Sequence, residues 1–155
     1  MTFPPRRRIH PGLVLATLDL AGLLIASYLS WVELHGVLPY CGPLHGCEQV
    51  ALSEYSRIRG IPVAVFGVAL STVLLTLALA WWRTDDRRLL AAHYGLSLVG
   101  VIFELYFTYL ELFVIGAVCV WCATYGLTLL ARFLIALRIW QRRDRAEVTS
   151  QRSAR

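Results

Sequence analysis

Four long apolar stretches dominate the hydrophobic pattern of this chain. They cover about residues 12–32, 61–82, 89–113 and 115–139, and each is long enough to cross the hydrocarbon core of a bilayer as a helix. A polar segment at 33–60 lies between the first and second stretch. The pattern therefore predicts an all-α fold, an integral membrane four-helix bundle in which the longest loop joins the first two helices.

The other parts of the chain are short and basic. We expect tails at residues 1–11 and 141–155 to flank a single domain of residues 12–140. The apolar run after the first tail lacks a small-residue cleavage site, which favours a retained helix over a signal peptide. Within the loop, residues 48–59 are predicted to form a short amphipathic helix that covers the outer end of the bundle.

Composition indicates a membrane protein, and the charge pattern predicts its orientation. Hydrophobic residues make up 57% of the 155 positions, and arginines alone supply the positive charge behind the net +5. Most arginines cluster before the first helix, between the second and third, and after the fourth, so these regions share one side. The positive-inside rule makes that side cytoplasmic, with both termini there and the 33–60 loop outside. This placement predicts membrane orientation and no nucleic acid partner.

The chain has four cysteines, and both pairs fall at the predicted extracytoplasmic end. Cys119 and Cys122 stand at the head of the fourth helix, and Cys41 and Cys47 lie in the loop. Thiols one helical turn apart can close a disulfide, and a helix N-terminus stabilises the thiolate that exchanges it. Disulfides also persist outside the cytoplasm. We therefore interpret the cysteines as a relay that passes electrons from the loop pair to the helical pair.

Simpler roles remain open for these cysteines. One alternative is that they are packing residues, and another is that they form structural disulfides in a non-catalytic membrane scaffold. A third is a zinc site made of all four thiols, or one to which His35 and His45 contribute. Five residues separate Cys41 from Cys47, which is looser than the usual spacing of zinc ligands, and we predict no metal site.

A thiol pair inside the membrane can pass electrons to an apolar carrier dissolved in the lipid bilayer. The two electrons of a dithiol match the reduction of a quinone to a quinol. Phe66, Trp121 and Tyr125 are the aromatic residues expected to line a pocket for the quinone ring, with Tyr106 and Tyr109 as further candidates. The predicted electron acceptor is therefore a membrane quinone.

The sequence also resembles a known family. The run ELFVIGAVCVWCATY at residues 111–125 resembles the fourth-helix motif of bacterial homologues of vitamin K epoxide reductase. Upstream, Cys47, Ser53 and the Gly60-Ile61-Pro62 entry to the second helix are similar to that family's loop cysteine, serine and helix start. The order of the motifs also fits, with the loop pair first and the CxxC in the fourth helix.

The resemblance implies a route for the electrons. A thioredoxin-fold thiol partner outside the cytoplasm would attack Cys41. Cys47 would then attack Cys119, and Cys122 would be released as the thiolate that reduces the quinone. The activity implied is disulfide formation by a quinone-dependent thiol oxidoreductase with residues 12–140 as its catalytic domain. Vitamin K epoxide or quinone reduction proper is the alternative within the family.

The resemblance also implies the surroundings of the reaction. Ser53 and Tyr125 would lie against a quinone of menaquinone, ubiquinone or phylloquinone type. Many bacterial members carry a fused thioredoxin-like domain, whereas this sequence stops at Arg155, so we expect the thiol partner to be a separate protein. The expected location is the cell (inner) membrane, crossed several times.

Ionisable residues inside the apolar runs are further functional candidates. Asp19 is predicted to partner an arginine in the bundle. Glu104 is a candidate to relay one of the protons that quinone reduction consumes. Glu111 is expected to be solvated near the membrane surface, and no role is predicted for His93.

Overall fold

The computed structural model describes residues 11–41 and 46–153. Residues 1–10 of the predicted 1–11 tail, loop residues 42–45 and residues 154–155 of the predicted 141–155 tail lie outside the described residues. Its helices in chain order are α1 (Pro11–Leu34), the short α2 (Gly46–Leu52), α3 (Val63–Thr84), α4 (Arg87–Tyr109) and α5 (Val120–Ser153). α1, α3, α4 and α5 are long and apolar enough to cross a membrane. The predicted all-α membrane bundle of four helices is confirmed.

Each long helix packs against two others, so that the four form a closed ring. α1 contacts α3 and α5, and α4 contacts the same two helices. At the end of the bundle away from the cysteines, side chains of all four helices form a buried core of Leu15, Ala16, Ala78, Trp81, Leu90 and Ala136. The helices that face each other diagonally are therefore α1 with α4, and α3 with α5.

The turn between α3 and α4 is built by two consecutive aspartates. Asp85 adopts a left-handed conformation (φ 53°) that ends α3, and its N–H donates to the carbonyl of Trp81 at 2.8 Å. The Asp86 carboxylate then caps α4 by accepting the backbone N–H of Arg88 at 2.8 Å. Two short polar side chains thus reverse the chain within a few residues.

The junction before α5 differs from the prediction of a helix start near residue 115. α4 continues as a π-helical segment, Leu110–Ile115, which ends where Gly116 turns left-handed (φ 72°). The N–H of Ala117 donates to the carbonyl of Glu111 at 3.0 Å and closes this turn. Because the helix restarts only at Val120, Cys119 immediately precedes α5 and does not lie within it.

At its other end α5 extends beyond the predicted limit of residue 139. The helix continues to Ser153, through most of the segment predicted as a basic tail. Arginine, glutamine, glutamate and alanine favour helix, so the loss of hydrophobicity ends the membrane span without ending the helix. The apolar span itself is limited to Val120–Arg145.

The segment between α1 and α3 is irregular, and the single helix predicted at 48–59 is wrong. α2 ends at Leu52, and a 3₁₀ turn (Glu54–Ser56) follows. Two short strands, β1 (Arg57–Ile58) and β2 (Ile61–Pro62), then pair antiparallel. Arg59 and Gly60 both have positive φ, as the tight turn of a two-residue hairpin requires. Pro62 precedes the first residue of α3 as its N-cap.

Candidate active site

We call the end of the bundle that carries Cys47 and Cys119 the cysteine end. A cavity of about 450 Å³ lies between the helices there. Its walls are mainly aliphatic and aromatic side chains, and the segment from α2 to β1 contributes to them. Cys122 also lines it. One apolar cavity therefore brings a thiol of the loop pair together with both thiols of the helical pair.

The helical pair is free and is organised by the N-terminus of α5. The Sγ of Cys119 accepts the backbone N–H of Cys122 at 3.3 Å, as an N-cap side chain does. A hydrogen bond from the Cys122 thiol, which outweighs burial, lowers the pKa of the Cys119 thiol below its usual value. The turn before α5 thus holds Cys119 where both the N-terminus of α5 and the Cys122 thiol favour the thiolate form of Cys119.

The loop pair is disulfide-bonded, with the Cα atoms of Cys41 and Cys47 5.8 Å apart. Its two members differ in access. Cys47 is completely buried at the start of α2, whereas Cys41 is partly exposed. A large thiol partner can approach Cys41 more easily than Cys47, and Cys47 faces inward to the cavity.

Gly46 brings α2 against the backbone that precedes α5. A Cβ at Gly46 would lie 2.3 Å from the carbonyl oxygen of Val118, closer than a side chain can approach. Glycine is therefore required at this contact. Because Gly46 and Val118 each precede a cysteine in the sequence, their contact sets Cys47 close to Cys119.

Trp121, for which a quinone contact is predicted, has its side chain outside the cavity wall. It is not among the described residues that line the cavity. Its indole N–H donates to the carbonyl of Tyr40 at 3.0 Å, and its ring lies 4.8 Å from the ring of Tyr28. Trp121 thereby holds the chain next to Cys41 against α5.

Ser53, Phe66 and Tyr125, the other predicted quinone contacts, all line the cavity. The Ser53 hydroxyl donates to the carbonyl of Val50 at 2.7 Å. The Tyr125 hydroxyl donates to the carbonyl of Gly67 at 3.2 Å and lies 3.2 Å from the Ser71 hydroxyl. These bonds join the diagonal pair α3 and α5, so Tyr125 presents its ring, more than a free hydroxyl, to the cavity.

Glu111 is buried, and the prediction that it is solvated is wrong. It is 6% exposed and its Oε2 accepts the backbone N–H of Cys119 at 3.1 Å. The carboxylate and the sulfurs of Cys119 and Cys122 lie within 4.8 Å of one another. The π-helical turn carries Glu111 into the bundle, because it lengthens α4 just before the reversal at Gly116.

Glu104 lines the same cavity at a greater depth. Its side chain packs over the backbone of α5, where a Cβ at Gly126 would lie 2.6 Å from Glu104 Oε1. Two carboxyl groups thus border the cavity, one beside the thiols and one farther into the bundle.

A second polar cluster lies in the half of the bundle away from the cysteines. Asp19 Oδ1 accepts from Arg132 Nη1 at 2.9 Å, and Asp19 Oδ2 lies 3.0 Å from His93 Nε2. All three side chains are at most 1% exposed. The prediction that Asp19 partners an arginine is confirmed, while His93, for which no role was predicted, joins α4 to the diagonal helix α1. The Arg132 guanidinium also lies 5.5 Å from the centre of the Tyr125 ring.

Sequence reasoning missed Gly46 and Arg132. Gly46 carries no local signal, because its importance arises from a contact with Val118, which is distant in sequence. Arg132 had a signal, since it is a lone charge inside an apolar run and such residues usually have a buried partner.

Four membrane-capable helices around a cavity that joins a disulfide-bonded pair to a free cysteine pair define a multi-pass membrane thiol protein. Residues 13–137 match the model of the Vitamin K epoxide reductase family, and the chain belongs to that family. Family membership makes the protein an oxidoreductase, and it agrees with the resemblance of residues 111–125 to the family's fourth-helix motif.

Proposed function

We propose that this protein is a quinone-dependent thiol oxidoreductase that generates disulfide bonds. Electrons would pass from a separate thioredoxin-fold partner to Cys41 and Cys47, then to Cys119 and Cys122, and finally to a membrane quinone. The observation that carries the proposal is the shared cavity, whose wall contains Cys47 and both thiols of the helical pair. A structural staple has no need of a second, free pair beside it.

The difference in burial within the loop pair supports attack on Cys41 first. The partner's thiolate attacks the Sγ of the partly exposed Cys41, the Cys41–Cys47 bond breaks, and Cys47 leaves with the electron pair. The partner's second thiol then attacks the mixed disulfide and releases Cys41. The partner is oxidised by two electrons, and the loop pair becomes a dithiol.

The second exchange takes place inside the bundle. When Cys119 and Cys122 are joined, the Cys47 thiolate attacks Cys119, and Cys122 leaves as the new thiolate at the first turn of α5. Attack by Cys41 on the Cys47 sulfur of the Cys47–Cys119 bond restores the loop disulfide and releases Cys119 as a thiolate. The helical pair is then reduced, and Cys122 has taken up a proton. The contact of Gly46 with the Val118 carbonyl supports this step, because it holds the attacking Cys47 close to Cys119.

The cavity suits a quinone ring of menaquinone, ubiquinone or phylloquinone type. Its volume of about 450 Å³ is in the range of small-molecule sites, and its apolar wall carries few polar groups. A bound quinone supplies an acceptor for two electrons and two protons. Phe66 and the ring of Tyr125 would lie against it, and Ser53 would border it from the covering segment.

The charge pattern supports a location in the cell membrane with the cysteine end outside the cytoplasm. Arginines are concentrated at the other end, before α4 and along the last turns of α5. This orientation places both termini in the cytoplasm and exposes Cys41 to an oxidising compartment, where a secreted partner can reach it. We assign the catalytic unit to residues 12–140, with basic segments at 1–11 and 141–155.

Quinone reduction by the purified protein tests the proposal. The assay uses detergent-solubilised protein, a reduced thioredoxin-fold donor and a soluble quinone analogue, with wild type and Cys122→Ala side by side. We expect wild type to reduce the quinone and Cys122→Ala to lose at least about 10³-fold, because the variant cannot close the helical disulfide. If both proteins are inert with several donors and quinones, the scaffold interpretation replaces the relay. If Cys122→Ala is active, the quinone meets another thiol.

A further inference from the structure

Glu111 places a carboxyl group directly beside both thiols of the helical pair. Its carboxylate oxygen and the sulfurs of Cys119 and Cys122 lie within 4.8 Å of one another, and the Cys122 thiol interacts with it. The side chain is buried and lines the cavity where the quinone would bind. It therefore touches both a reacting sulfur and the space next to it.

The backbone, and no ion pair, holds Glu111 in this place. Its carbonyl accepts the N–H groups of Gly116 and Ala117 in the turn, and its carboxylate accepts the N–H of Cys119. None of the ion pairs found among residues 11–41 and 46–153 includes it. A carboxyl group without a cationic partner remains able to change its protonation state during a reaction.

The reaction proposed above requires proton transfer at this place. Oxidation of a dithiol by a quinone breaks two S–H bonds, forms one S–S bond and moves two electrons and two protons to the acceptor. A side chain that carries a proton reduces the cost of charge in an apolar cavity, where a thiolate or a quinone oxyanion is poorly stabilised.

We infer that Glu111 is the catalytic residue that takes the proton of the Cys122 thiol and delivers it to the nearer quinone oxygen. This inference rests on the proposed quinone reduction. When the S–H bond of Cys122 breaks, its electron pair and a lone pair of the Cys119 thiolate supply four electrons. Two of these form the Cys119–Cys122 disulfide, and two reduce the quinone. Cys119 has lost its own proton to water at the cysteine end, and the second quinone oxygen takes a proton from water.

The other titratable groups that face the cavity do not meet both reacting sulfurs in this way. They are Glu33, Tyr55, Glu104 and Tyr125. Glu104 is most similar to Glu111, because it also has a carboxyl group that lines the cavity. It packs over Gly126, however, deeper in the bundle, where the charge of Arg132 acts on it. The position beside the thiols distinguishes Glu111 from Glu104.

Glu111→Gln removes the proton carrier and keeps an acceptor for the N–H of Cys119. In a background with Cys41→Ser and Cys47→Ser, the helical pair is reduced and mixed with quinone in a single turnover. We expect the rate of disulfide formation to fall about 10²–10³-fold, the usual contribution of a positioned acid or base. Glu54→Gln, which removes an exposed carboxyl group outside the cavity lining, is the matched control and should retain the wild-type rate.

Thiol alkylation in quinone-free protein gives a second measurement. A carboxylate beside Cys119 raises the pKa of that thiol by like-charge repulsion, so Glu111→Gln should move the midpoint of Cys119 alkylation to lower pH. The inference therefore predicts thiolates that form more readily together with slower quinone reduction. If the more acidic thiols react with quinone as fast as wild type or faster, Glu111 acts only on thiol acidity and the inference is wrong.

Two further variants separate the remaining outcomes. If Glu104→Gln loses the larger part of the rate and Glu111→Gln does not, Glu104 carries the proton and the inference falls. If Glu111→Gln does not fold, Glu111→Asp keeps a carboxyl group that is shorter by one methylene. It should fold and lose at least about tenfold, and a wild-type rate for it contradicts the inference. An inert wild type instead refutes the proposed function itself.

Discussion

The bundle contains two polar clusters, and they differ in what surrounds them. Away from the cysteines, Asp19 bonds to both His93 and Arg132, and each of the three side chains is at most 1% exposed. Glu111 and the helical cysteines instead border a cavity of about 450 Å³. Both clusters carry ionisable groups in a membrane span, where such residues are costly and usually functional.

The difference teaches that an ionisable residue in a membrane helix has two possible uses. In the Asp19 cluster the charges meet inside the protein, and the contacts join α1, α4 and α5. Such a cluster fixes how the helices pack. In the Glu111 cluster the groups leave room for a further molecule, so the same kind of residue is available for chemistry. An ionisable residue whose bonding partners all lie within the bundle has a structural role, and one that adjoins a cavity is available for a reaction.

The largest expected effect comes from removing one charge from the Asp19 cluster. Asp19→Asn removes the carboxylate charge to which the buried Arg132 guanidinium is bonded, and we expect the free energy of unfolding to fall by about 3–5 kcal/mol. Thermal or denaturant unfolding in detergent measures it. Asp144→Asn is the control, since Asp144 pairs with Arg87 at the water-exposed end, and it should cost at most about 1 kcal/mol.

Replacing both charges sharpens the same prediction. Asp19→Leu with Arg132→Leu should be much more stable than either single variant, because a buried pair often costs little when both members become apolar. Single and double variants of equal stability would show that the charges do not depend on each other.

A smaller effect is expected where α2 meets the turn before α5. Gly46→Ala forces α2 away from the Val118 carbonyl, so Cys47 and Cys119 move apart. In a background with Cys41→Ser and Cys122→Ser, only these two cysteines remain, and the rate at which they join under mild oxidation is measured. A shift of about 1 Å should slow it by about 10²-fold.

Gly95→Ala provides the control for this measurement, because a Cβ at Gly95 in α4 meets nothing within 4 Å. It should leave the rate unchanged. Equal rates for Gly46→Ala and Gly95→Ala would mean that the contact between α2 and Val118 does not position the two thiols.

Much of the architecture was predictable because membrane helices can be identified in a sequence by their length and hydropathy. The four spans, the cysteine loop and an arginine partner for Asp19 follow from that pattern. The helix limits near Cys119 did not follow, since apolar residues continue unbroken across the turn that Gly116 makes.

The candidate site was predictable in part. Phe66 and Tyr125 reach the cavity as expected of aromatic residues near the thiols, but Trp121, one residue before Cys122, points to Tyr40 instead. Which face of α5 turns inward depends on packing. The burial of Glu111 depends on a π-helical turn for which apolar periodicity has no signature.

The redox state of Cys119 and Cys122 in membranes with and without quinone tests the central claim most directly. Thiol-specific mass tagging reports the state while a reduced thioredoxin-fold donor is supplied. The relay predicts that the pair becomes reduced when quinone is removed and is reoxidised when it is restored. A pair whose state is the same in both membranes would contradict the relay and make the cysteines structural.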